Sequence, residues 1–196
     1  MNNDSNWIIV RIDGKIAAIS TDYRQLASIT ARLSKEGKAR YSEITATKAG
    51  FDEVWQLRET TQWKGMMLFG TDFQKKVWKK LYELTHSEND GSRTPRLISY
   101  SDFAELCQNR AGVRAVAHAI GLNPVSVIIP CHLVVPKEAI DRMKMINKKA
   151  EATIFKGNDL CLSSILKNEA IDFGNYAMGP ELKRKLIALE LTGTAL

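Results

Sequence analysis

Cys131 is followed directly by His132, and neither of the other two cysteines, Cys107 and Cys161, has a histidine beside it. A thiol becomes a nucleophile when a base takes its proton, because the thiolate is the reactive species. An imidazole can do this directly or through one water, and a carboxylate behind it would fix its tautomer. Glu190 is one candidate among 22 Asp and Glu residues, and spacing alone does not select it. Cys107 and Cys161 read as ordinary buried thiols, since cysteine is among the most buried residue types. No CxxC pair is present, so neither a zinc site nor a disulfide framework is expected. Reduced thiols fit a cytoplasmic protein.

The elements around Cys131 must present it. Val125 to Pro130 (VSVIIP) reads as a short apolar strand-like run that delivers the cysteine at its exit. Before it, Ser101 is expected to cap a helix DFAELCQNR, Ala111-Gly112 to break it, and VRAVAHAIG to form a second helix ending at Leu122-Asn123-Pro124. That is a helix-turn-helix pattern, which two packed core helices would also produce. Upstream, Thr71-Asp72 begins an amphipathic helix, FQKKVWKKLYEL, with Phe73, Val77, Trp78, Leu81 and Leu84 on its apolar side. Trp7 to Ile19 carries Asp13-Gly14 at its centre, the signal for a hairpin. A helix over 23–33 should follow, capped by Asp22, with Leu26, Ile29 and Leu33 on one stripe. His86 to Pro95 is polar and reads as an exposed loop. The segment from about Lys137 to Phe173 mixes charges with scattered apolar residues and shows no period. Pro180 to Leu191 reads as a closing helix with proline in its first turn.

The fold class is therefore α/β, with a small N-terminal α/β domain over 1–68 and a mostly helical C-terminal domain over 69–196, interrupted by an insertion at about 137–173. The chain carries 28 Lys and Arg, a formal charge of +6 and a pI near 9.2. A basic excess admits nucleic acid as a partner through phosphate contacts. Residues 1–6 show no signal-peptide core, and no apolar run reaches the roughly 18 residues a membrane span needs.

The run Asn123-Pro-Val-Ser-Val-Ile-Ile-Pro-Cys-His-Leu-Val-Val135 resembles the active-site signature of the O6-alkylguanine-DNA alkyltransferases, also called methylated-DNA-protein-cysteine methyltransferases. The resemblance extends to Gly70–Trp78, Ile98–Tyr100, Val113–Val116 and Gly174–Tyr176 with Leu186–Glu190 behind it, most of residues 69 to 190. It implies a ribonuclease-H-like N-terminal domain and a winged-helix-like C-terminal domain. It implies repair by stoichiometric transfer of an alkyl group from O6-alkylguanine, and also O4-alkylthymine, to Cys131, without cofactor or metal. The partner would be double-stranded DNA, bound through the minor groove by a monomer, with the damaged base flipped out of the stack. Carried over by position, Cys131 is the acceptor, His132 the water-linked base and Glu190 its carboxylate. Arg114 enters the stack, Asn123 braces the turn, Tyr100 donates toward the guanine, Val134 offers its carbonyl and Tyr176 lines the pocket. Gly112, Ala115 and Ala119 allow close approach to a narrow groove.

The chain departs from that pattern at Leu133, where the family commonly has Arg, and at Ala177 and Met178 after Tyr176. Leu133 removes a charge near the active site, and Ala177 and Met178 are expected to reshape the pocket rim and weaken reaction with O6-benzyl substrates. The insertion reads as a neutral surface excursion, with an extended DNA footprint as the alternative. A chain that only binds alkylated DNA, of the alkyltransferase-like type, is the other functional reading, but those proteins lack the cysteine. A helix-turn-helix regulator and a Cys-His hydrolase are further readings, and turnover separates the last.

Overall fold

A computed structural model of the chain describes residues 7–21, 23, 26–27, 31, 41–86, 96–153 and 166–193, with the side chains of 147–153 left aside. Most of the expected helix over 23–33, the expected loop from 87 onward and Cys161 lie outside the described residues. The chain divides into two compact units, Met1–Glu83 with His118–Cys131, and Leu84–Ala117 with His132–Leu196. No helix among the described residues is long and apolar enough to cross a membrane.

The first unit holds a three-stranded antiparallel sheet in the order β2-β1-β3, with β1 Trp7–Ile12, β2 Lys15–Ser20 and β3 Ile44–Ala49. Asp13 and Gly14 both have positive φ, 47° and 76°, which two-residue hairpins need to match the strand twist. Asp13 Oδ1 accepts hydrogen bonds from the Glu43 and Ser42 amides, each 2.9 Å, and from Ser42 Oγ at 2.8 Å. The Glu43 amide first, then the Ser42 hydroxyl, holds the Asp13 carboxyl below its ordinary value. The turn is thereby pinned to the approach of β3.

The outer edge of β2 is covered by other segments of the same unit. Ile16 pairs with Met66 and Ile19 with Val125, through Met67 N to Ile16 O at 2.8 Å, Ile19 N to Pro124 O at 2.9 Å and Ser126 N to Ile19 O at 3.2 Å. An open edge is a liability that proteins cover. Here the covering chain is the run that leads to Cys131. Helix α1 (Phe51–Thr60) follows β3, and α2 (Asp72–Tyr82) follows a 3₁₀ turn at Trp63–Gly65. A full capping box between Thr71 and Gln74 starts α2. Val77, Trp78 and Leu81 are buried as the spacing predicts, Tyr82 is buried beside them, Leu84 is half-buried, and Phe73 stays exposed. Gly70 is required by contact, because a Cβ there would come within 2.6 Å of the Trp78 ring.

The second unit begins with β4 (Ile98–Ser99), which runs directly into α3 (Tyr100–Leu106). Ser99, not Ser101, caps this helix, accepting from Asp102 N at 3.1 Å, because the chain leaves β4 only at Ser99. Cys107 is the residue that ends α3 rather than an interior position. A 3₁₀ turn at Arg110–Gly112 joins α3 to α4 (Val113–Gly121). Two-residue β5 (Val134–Val135) pairs in parallel with β4, Ile98 opposite Val134 and Ser99 opposite Val135.

The insertion contains a regular element that its mixed composition concealed, helix α5 (Lys137–Thr153). Its Ala139, Ile140, Met143 and Ile146 join Val135, Leu166, Ile171 and Phe173 in a core shared with Ile187 and Ala188 of α6 (Pro180–Thr192). Arg184 on α6 donates to the carbonyls of Leu166, Asn168 and Ile171, and Arg142 on α5 to that of Ala170. The described ends of the insertion, 137–146 and 166–173, are thus built into the second unit's core rather than looped out from it.

Candidate active site

The residues from Asn123 to Cys131 form no strand. Apart from isolated pairings the run VSVIIP is a tight turn, closed by Ile129 N to Val125 O at 3.0 Å. Alternation could not reveal this, because every residue from Asn123 to Val135 is buried and the apolar run has no solvent face. Val127, near the centre of the turn, has φ 74°, a left-handed conformation that is an outlier for a β-branched residue. It costs about 1–2 kcal/mol. Full burial of the valine side chain contributes about 1.5–3 kcal/mol and offsets it.

Asn123 sits at the mouth of this turn and is 1% exposed. Its Nδ2 donates to Ile129 O at 2.9 Å and to Cys131 Sγ at 3.1 Å, while its Oδ1 accepts from Val125 N at 3.1 Å. Both amide protons and the carbonyl are therefore used, and one side chain holds both ends of the turn and the sulfur. A donor aimed at sulfur favours the anionic form of the thiol. Cys131 itself is buried, with its amide bonded to Ile129 O at 2.8 Å. In the same unit, Trp78 Nε1 donates to Ala119 O at 2.8 Å, tying α2 to the last turn of α4 just ahead of Asn123.

One peptide bond further on, in the second unit, His132 is fully buried and its Nε2 lies 3.1 Å from Glu190 Oε1. The side chain of Glu190 is 1% exposed, so the contact is dry. With the carboxylate ionised, Nε2 carries the proton and Nδ1, which is also buried, is the basic nitrogen. Glu190, which spacing could not select from 22 carboxylates, is brought to the histidine by α6.

The other expected residues fall as follows. Arg114 is exposed in the first turn of α4. Tyr100 is half-buried at the start of α3, and β4–β5 pairing sets it two residues beyond Ile98, the strand position opposite Val134. Tyr176 is half-buried with a buried hydroxyl oxygen. Leu133, where an arginine was the common expectation, is fully buried, so it replaces a charge with core.

Sequence reasoning missed Lys183. It is 1% exposed, its Nζ donates to Val134 O at 2.9 Å and to Asn175 O at 3.4 Å, and it lies 6.0 Å from the centroid of the Tyr100 ring. Gly174, at φ 81°, lies beside it, and a Cβ there would crowd Pro136 at 3.1 Å. The available signal was spacing: Lys183 precedes Glu190 by seven residues, two helical turns, and shares its face.

Residues 72–152 match the family described as 6-O-methylguanine DNA methyltransferase, DNA binding domain. A mimivirus protein named "Probable methylated-DNA--protein-cysteine methyltransferase" is 49% identical over 70 residues, 36% of this chain and 42% of that one. The inducible methylated-DNA–protein-cysteine methyltransferase of Bacillus subtilis is 43% identical over 68 residues, 35% of this chain and 34% of its own. The chain thus spans less than half the length of these relatives. The crystal structure of O6-methylguanine-DNA methyltransferase from Pyrococcus kodakaraensis superposes with a TM-score of 0.50 over 94% of this chain and 90% of that one. At 22% identity this likeness speaks for the fold, an α/β arrangement of a small antiparallel sheet with helices. Over residues 72–152 the chain is therefore similar to the DNA-binding domain of the methylated-DNA–protein-cysteine methyltransferases.

Proposed function

We propose that the protein repairs DNA by taking an alkyl group from O6-alkylguanine, and from O4-alkylthymine, onto Cys131 in a single irreversible turnover. The observation that carries the reading is the Asn123 amide on Cys131 Sγ, 3.1 Å away, in a chain whose next residue is a histidine backed by a buried carboxylate. The thiol proton passes through water to His132, which Glu190 keeps in the tautomer that can accept it. Sulfur attacks the alkyl carbon, an S–C bond forms as the C–O6 bond breaks, and the guanine departs. A proton delivered toward the purine ring lets it leave neutral, and Tyr100 is the donor. The resulting thioether has no good leaving group, so the protein is consumed.

Arg114 on the exposed side of α4 fills the stack left by the flipped base, and the Val134 carbonyl and Tyr176 receive that base. Minor-groove docking by a monomer, a ribonuclease-H-like domain over 1–68 and a winged-helix-like domain over 69–196 belong to the same proposal. Incubation with an O6-methylguanine oligonucleotide followed by intact-protein and peptide mass spectrometry tests it. One methyl on the Cys131 peptide per protein is expected. Catalytic turnover, or no transfer, overturns it.

A further inference from the structure

We infer that Val127 is a positioning residue whose buried side chain pegs a left-handed turn and thereby sets where Cys131 Sγ stands. The inference rests on the reading of Cys131 as the acceptor. Where a chain needs positive φ, glycine is the residue without a steric cost. A β-branched valine at φ 74° pays for that conformation, and does so at full burial between Val125 and Ile129, whose backbones close the turn. The conformation is what returns Ile129 to Asn123, so that one amide reaches both Ile129 O and Cys131 Sγ. The same turn is fastened on its other side to β2 through Ile19 and Ser126. A residue that relaxed to negative φ at this point would carry the sulfur away from its donor. Misplacement of a reacting group by about 1 Å costs on the order of a hundredfold in rate.

The test compares Val127→Ala and Val127→Gly with the wild-type chain, well below their melting temperatures and at saturating O6-methylguanine duplex. Alanine removes the peg and keeps the steric cost, whereas glycine removes both. Val127→Ala should transfer about tenfold or more slowly than wild type. Val127→Gly should lie between the two, in rate and in Tm, while DNA affinity stays within about twofold for both. Glycine ranking above alanine reverses the order that loss of packing alone gives at a buried position. Val127→Gly at or below Val127→Ala in either measure, failure of Val127→Gly to fold, or wild-type rates in both variants would overturn the inference. If wild-type protein transfers no methyl, the functional reading fails instead. The turn is then judged by the same ranking in iodoacetamide labelling of the Cys131 peptide, read by mass spectrometry.

Discussion

Replacing Asn123 by aspartate tests the clamp most directly, because the two side chains have the same shape and differ in what they donate. In the Asn123→Asp variant one carboxylate oxygen would still accept from Val125 N, so one of the three bonds survives. The other two reverse sign: an oxygen would face Ile129 O and Cys131 Sγ where the amide nitrogen now stands at 2.9 and 3.1 Å. Ile129 O keeps its bond from Cys131 N at 2.8 Å and is not orphaned. The loss therefore falls chiefly on the sulfur, whose anionic form loses a hydrogen bond of the charged class, worth about 1.5–3 kcal/mol. That corresponds to a transfer rate lower by about 10- to 160-fold. Repulsion between the carboxylate and the thiolate adds to it. Asn123→Ala instead leaves the buried Val125 N–H without its acceptor and should cost about 1–3 kcal/mol of stability, with a smaller loss of rate because no charge is introduced. Single-turnover transfer at saturating duplex gives the rates, and guanidinium unfolding gives the stabilities. If Asn123→Asp reacts as fast as the wild-type protein, the amide does not act on the sulfur and the reasoning fails.

Glu190→Gln is nearly isosteric and should leave stability close to wild type, while its amide can donate to His132 Nε2 and move the ring proton to Nδ1. Transfer should fall by about a hundredfold or more, and its dependence on pH should flatten, as a rate–pH series would show. Lys183→Met removes the buried donor to Val134 O and should cost about 1–3 kcal/mol in guanidinium unfolding. Transfer should also slow in protein that remains fully folded, because the Val134 carbonyl and the Tyr100 ring lose their common support. Asp13 has a folded-state value held below 3.8, so the stabilisation it provides is present above that pH and fades as pH falls through its lowered value. Hydrogen exchange at the Ser42 and Glu43 amides should therefore accelerate only at strongly acidic pH, and Asp13→Asn should remove that acid limb.

The sequence alone settled those features whose cause is local. Asp13-Gly14 demanded a hairpin because both residues tolerate positive φ, Thr71-Asp72 wrote a helix start, and the 3.6-residue period buried Trp78 and Leu81. The pairing of Cys131 with His132, and the run around it, was legible as chemistry for the same reason, since adjacent residues need no fold to be adjacent. Tertiary structure decided what depends on distant segments. An apolar run buried on all sides carries no period, so VSVIIP showed no turn and Val127 no strain. The mixed charges of 137–153 hid a helix whose apolar side meets α6 from some forty residues away in sequence. Glu190 and Lys183 reach His132 and Val134 across 58 and 49 residues, and only the docking of α6 distinguishes them from the other acids and bases of the chain. Burial is what gives both their force, for the same groups in water would be solvated charges with no preferred partner.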